Sequence, residues 1–226
     1  MTKKLTWIVR ITFWLYMLYI YLTVYRQGSF YSFLLLNTFL GYIPIELAMH
    51  LNKDRSKFAY WGIFILWLLF YPNAPYVITD LFHLARMNPY DPTNGLMSFD
   101  LHMWLNFTNL VASAFGCALM GIWSLEHVAQ TLQARFKWHG WLSRGILVMI
   151  LTVASSIGIY VGRFLRLHTA YLFLEPDAVF KQLVEMWSIR MLIFVVFMTI
   201  IQLIIWASIA IGRYLIDQYD VNNKLL

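Results

Sequence analysis

Charge is scarce in this chain. Lys, Arg, Asp and Glu supply 12% of its 226 residues, apolar residues supply 61%, and mean hydropathy is +0.63. That balance excludes an ordinary soluble domain. Cysteine is nearly absent: Cys117 stands alone, so no internal disulfide can form and no thiol chemistry is suggested. The first apolar run follows Lys3 and Lys4 but has no small-residue cleavage site after it, so it reads as an uncleaved anchor. There is no internal repeat, low-complexity tract or glycine-rich phosphate loop. Neither His-x-x-x-His nor His-Glu-x-x-His occurs, so no metal site is assigned and no cofactor is named by any motif.

What the chain has in abundance is long apolar runs. Six of about 18 to 22 residues recur, the length that crosses ~30 Å of hydrocarbon at ~1.5 Å per residue. They cover 7–25, 30–49, 58–79, 101–123, 145–161 and 188–212. The expected fold is an all-α membrane protein, a single bundle of about six transmembrane helices forming one domain over 1–226. Placing the N-terminus inside puts 11 Lys and Arg residues on the cytoplasmic side against 6 outside, so both termini are expected to be cytoplasmic. The formal charge of +6 is then mostly membrane anchoring, with no nucleic acid implied. The ten Trp and fourteen Tyr fit aromatic belts at the interfaces.

Two connections carry helical patterns of their own. In 126–144, on the inner side, Leu125, Val128, Leu132 and Phe136 have helical spacing beside Arg135 and Lys137, which predicts an amphipathic helix on the inner leaflet. On the outer side, Glu175-Pro176-Asp177 is a helix start. The stripe Phe180, Leu183, Val184, Trp187 then predicts an interfacial helix leading into the sixth span.

The third run ends in Tyr71-Pro72-Asn73-Ala74-Pro75-Tyr76, followed by Asp80 and His83. Proline removes a backbone donor and crowds the preceding turn, so a broken third helix is expected. Backbone freed inside a bilayer is tolerated only against protein or a wet cavity. The fourth run opens with His102, Asn106 and Asn109 at i, i+4 and i+7, a polar stripe that faces protein or a cavity. Asn37, about two turns below the outer end of the second run, is placed to join it, and Gly41 and Pro44 bend that helix. Glu46 lies near the inner boundary beside Lys53 and Arg55 and reads as an interfacial charge. The fifth run ends in Gly158-x-x-x-Gly162-Arg163-Phe164-Leu165-Arg166. Its small-residue pair allows close helix approach, and its two arginines suit ion pairing, head-group contact or forked binding of an anion.

The order Leu-Phe-Tyr-Pro-Asn-Ala-Pro-Tyr-x-x-x-Asp-x-x-His from Leu69 to His83, followed by Gly-Ile-Tyr-Val-Gly-Arg-Phe-Leu-Arg from Gly158 to Arg166, resembles the bacterial membrane-protein family known as domain of unknown function family 1361. The likeness covers most of the chain from the second span to the sixth. It implies a polytopic protein of a bacterial cytoplasmic membrane and brings no activity with it. One departure follows Arg166, where Leu167-His168-Thr169-Ala170-Tyr171 stands in place of a Trp-Asn-Ser-Trp-Asp run.

Three functions are therefore weighed from the residues. The first is an outward-facing pocket that binds or transports a small or amphipathic anionic ligand, such as a metabolite or a lipid head group. Asn73, Asp80, His83, His102, Asn106, Asn109, Arg163 and Arg166 would build it. The second is an enzyme acting on outer-leaflet lipid-linked phosphate substrates, with Asp80 or His83 as the catalytic base. The third is a structural or assembly role beside a partner membrane subunit.

Overall fold

Why the helices start and stop where they do is largely local chemistry. The computed structural model describes residues 2–91, 93–166 and 175–223. The segment 167–174, with His168 and the departure after Arg166, and Lys224 lie outside the described residues. Thr2 caps helix α1 (Lys3–Ile20), its hydroxyl accepting from the Leu5 amide, the arrangement that satisfies one of the four free N–H groups of a helix start. α1 ends in a π-helical turn, Tyr21–Tyr25. Ser29 caps a short 3₁₀ turn, Phe30–Ser32, that leads into α2 (Phe33–His50), which carries Pro44 inside it.

α3 (Lys57–Phe70) ends where the prolines begin. The Ala74 amide turns back to the Tyr71 carbonyl, and the Phe70 carbonyl that it would otherwise have met accepts from the Asn73 side chain at 3.0 Å. One short turn, α4 (Asn73–Tyr76), follows, and the chain then tightens into ten residues of 3₁₀ helix, Val77–Arg86. Runs of that geometry beyond three or four residues are uncommon. The third helix is thus broken as expected, and the Phe70 and Tyr71 carbonyls at the break are met locally by the Asn73 side chain and the Ala74 amide.

α5 (Leu101–Phe136) is a single helix of 36 residues, so 126–136 continues the fourth span and is not a separate surface helix. No proline interrupts 123–136, and the predicted stripe is buried at Leu125, Val128 and Leu132 while Phe136 stays exposed. α6 (Trp141–Tyr160) passes into a second π-helical turn, Val161–Leu165. α7 (Pro176–Glu185) has proline in its first turn as the sequence predicts. Its Phe180 and Val184, with Trp187 beyond it, stay 71%, 59% and 56% exposed, while Val179 and Met186 are buried. A strip of apolar surface left uncovered on a short helix suits a lipid interface. α8 (Ile189–Asn223) completes the set. The fold is all-α, and among the described residues six helical segments are long and apolar enough to cross a membrane.

The chain groups into two units, Met1–Ser124 and Leu125–Leu226. In the first, Phe13, Met17, Tyr42, Ile45, Val77, Ala114 and Cys117 form one apolar cluster, and Ile20, Val24, Tyr31, Leu34 and Leu110 form another. Charge also ties α1 to α2. The Arg10 Nε lies 3.0 Å and 3.1 Å from the two Glu46 carboxylate oxygens, and Tyr42 and His50 bond the same carboxylate. Glu46 therefore pairs with Arg10, a partner 36 residues away, in a forked geometry. In the second unit, Glu126 is 7% exposed and accepts from Gln130, Arg144 and the Trp206 indole. Higher along the same pair of helices, α6 and α8 are joined by neutral groups. The Ser156 and Thr199 hydroxyls lie 3.0 Å apart, and the Gln202 amide donates to Ser156 at 3.0 Å.

Candidate functional site

In the first unit the broken third helix is pressed against α2 and α5 by two glycines. A Cβ at Gly121 would stand 2.6 Å from the Ala74 Cβ, and one at Gly41 would stand 3.0 Å from the Cys117 sulfur and 3.4 Å from the Asn73 carbonyl oxygen. At Gly121 a side chain would force the helices apart, and at Gly41 it would crowd the Cys117 sulfur. The 3₁₀ segment then delivers Asp80 into the interior. Asp80 is 0% exposed, and the Asn37 amide donates to its carboxylate at 2.7 Å. Asn37 was expected beside the polar stripe of α5, and the Asp80 carboxylate holds it. A buried carboxylate is strongly favoured where donors meet it and costly where they do not.

His83 is placed by packing. Its Nδ1 lies 2.9 Å from the Asp80 backbone oxygen, and its ring sits 4.4 Å from that of Phe33 and 5.8 Å from that of Phe30. The Arg86 guanidinium covers Phe30 at 4.5 Å, a cation–π contact. Asn73 serves the broken backbone through Phe70. His102 is exposed at the start of α5, where its amide donates to the Asp100 carboxylate. Asn106 is half-buried and Asn109 is 2% exposed. Thus Asn37, Asp80 and His83 come together, Asn73 adjoins Gly41, and His102 stands apart at the helix end.

One arrangement escaped the sequence reading. Thr38 donates to Ser113 at 3.2 Å, Ser113 and the Tyr16 hydroxyl lie 2.9 Å apart, and Tyr16 donates to the Asn109 carbonyl at 3.0 Å. This relay joins α1, α2 and α5 beside Cys117. No local pattern in the sequence marks this relay, because its members come from three separate helices. The Asn109 amide nitrogen and the Tyr71 hydroxyl are buried with no hydrogen-bond partner. Buried polar groups are nearly always satisfied, by water or a ligand if not by protein.

In the second unit, Arg163 lies half-buried within the π-helical turn, and Arg166 is exposed at its end. Arg166 has φ +54°, a left-handed conformation, which costs a residue with a Cβ about 1–2 kcal/mol. A π turn also spreads residues three apart more widely than an α turn does. Arg163 therefore leaves the chain from within the π turn, and Arg166 from the left-handed residue that ends it. Among the described residues no three His, Cys, Asp or Glu side chains come together to hold a metal.

Broken helix, buried carboxylate and six apolar spans together define a polytopic all-α membrane protein. A family profile described as "Protein of unknown function (DUF1361)" matches residues 36–205, about three quarters of the chain, and the chain belongs to that family. The matched region contains both motifs, from Leu69 to His83 and from Gly158 to Arg166. No curated protein and no solved structure matches the chain.

Proposed function

We propose that this protein binds a small or amphipathic anionic ligand at the membrane boundary, with Arg163 and Arg166 recognising its charge, as a step in capture or transport. The observation that carries this reading is the irregular end of the fifth span. A π turn holds one arginine and a left-handed backbone holds the other. Such strain persists where the surroundings impose it, and it gathers at functional positions. Arginine suits the role because its fork matches a carboxylate or phosphate with two parallel donors. Asp80, wholly buried against Asn37, positions the 3₁₀ segment and does not touch the ligand. The same burial weighs against the reading of Asp80 as a catalytic base, which needs reach to a substrate proton.

The test is native mass spectrometry of the full chain extracted from its membrane. Wild type is expected to carry anionic metabolites or lipids that the Arg163→Ala/Arg166→Ala variant loses by at least tenfold. An unchanged set of bound anions, with the variant unfolding at the wild-type temperature, overturns the reading.

A further inference from the structure

A cavity of about 310 Å³ opens between α1 and α5, floored by Thr38 of α2. Ile8, Val9, Thr12, Phe13 and Tyr16 line it from α1, and Ala112, Ser113, Gly116, Cys117 and Met120 from α5. These are matching positions on two facing helices, and the small side chains on α5 make the trough. A Cβ at Gly116 would meet nothing within 4 Å, so the space is real and is not closed by a neighbour. Its volume is at the low end of pockets that hold small ligands.

The lining says what fits. It contains no charged side chain. Three of its four hydroxyls are committed to one relay, because Tyr16 gives its one proton to the Asn109 carbonyl and must therefore accept from Ser113, which in turn accepts from Thr38. With no charged donor and only the Thr12 hydroxyl outside the relay, the lining offers little to a carboxylate or phosphate, whereas methylene groups gain dispersion contacts in place of a void. Lys4, exposed in the first turn of α1, stands one turn beyond Ile8, the lining residue nearest that end of the helix, so its flexible side chain is placed beside the mouth of the trough. From Lys4 to Tyr16 is ~18 Å along the axis, the reach of a fatty acyl chain with its head group at the lysine.

We propose that one acyl chain of an anionic phospholipid, from the leaflet on the side of the N-terminus, occupies this trough, with its phosphate against Lys4. The site lies wholly in the first unit and does not rest on the anion reading of Arg163 and Arg166.

The experiment uses the full chain in nanodiscs of phosphatidylcholine doped with phosphatidylglycerol that carries a photoactivatable diazirine in one acyl chain, with the labelled residues mapped by mass spectrometry. Labelling is expected to concentrate in 8–16 and 112–120. It is expected to fall at least fivefold in Gly116→Leu, whose Cβ meets nothing within 4 Å, and about twofold in Lys4→Gln. Ala112→Leu fills the same space and substitutes if Gly116→Leu does not fold. Labelling spread evenly over the apolar faces of all spans overturns the proposal, as does labelling of folded Gly116→Leu at the wild-type level. So does a wild-type dimer cross-linked through these segments that Gly116→Leu disperses, since a second copy would then fill the trough.

Discussion

The α1–α2 seam of the first unit is held by charge, and the α6–α8 seam of the second is held in its middle by neutral groups. Arg10 and Glu46 are 22% and 27% exposed, near enough to a span end for water to share the cost of their charge. Ser156 and Gln202 are 0% exposed, deeper in an apolar helix pair where an ion would be expensive. Depth thus selects the kind of polar contact each seam can hold. The neutral seam is also imperfect, for Gln202 Oε1 and the Thr152 and Ser155 hydroxyls are buried without a hydrogen-bond partner. A charged lock that lacks one partner leaves an ion stranded, whereas a neutral seam loses only a bond.

Substitution can break that contrast, and the largest effect is expected at the charged seam. Glu46→Ala strands the Arg10 guanidinium and is expected to cost about 2–3 kcal/mol, somewhat less than for a wholly buried pair, read as a lowered unfolding temperature in nanodiscs. Gln202→Leu removes two donated bonds, to Ser156 and to the Met198 carbonyl, together with the orphan acceptor. Its net effect is expected to stay within about 1 kcal/mol. Thr152→Val is the smallest change: it deletes a buried hydroxyl with no partner and is expected to be neutral or to stabilise by up to about 1 kcal/mol. If Gln202→Leu proves as costly as Glu46→Ala, depth does not govern the two seams.

Spans, breaks and starts were legible in the sequence because each follows from nearest neighbours along the chain. Run length marked the six helices, Pro72 and Pro75 marked the break, and Pro176 marked α7. The continuity of α5 was not legible, since Glu126 and Arg144 resemble a membrane boundary until Trp206 and Gln130 are seen to satisfy the charge. Glu46 likewise lies next to Lys53 and Arg55 in sequence, but Arg10 holds it across a helix pair. Within the candidate site, depth marked Asn37 as an inward-facing group but not its partner, which is Asp80 and not the polar stripe of α5. The locking of His83 by Phe30 and Phe33, the close packing at Gly41 and Gly121 and the hydroxyl relay through Ser113 could not be foreseen, because those contacts join segments far apart in the chain. The left-handed backbone at Arg166 had no local signal, for neither glycine nor asparagine stands there.

That backbone gives the most direct test of anion recognition at the end of the fifth span. Arg166→Gly relieves the left-handed strain while removing the guanidinium, so stability and binding should move in opposite directions. Unfolding and anion retention, measured on the same nanodisc sample, are expected to show a gain of about 1 kcal/mol in stability together with at least a tenfold loss of bound anion. A variant that is stabilised and keeps its anions would contradict the account, and Arg166 would then be a helix end and nothing more.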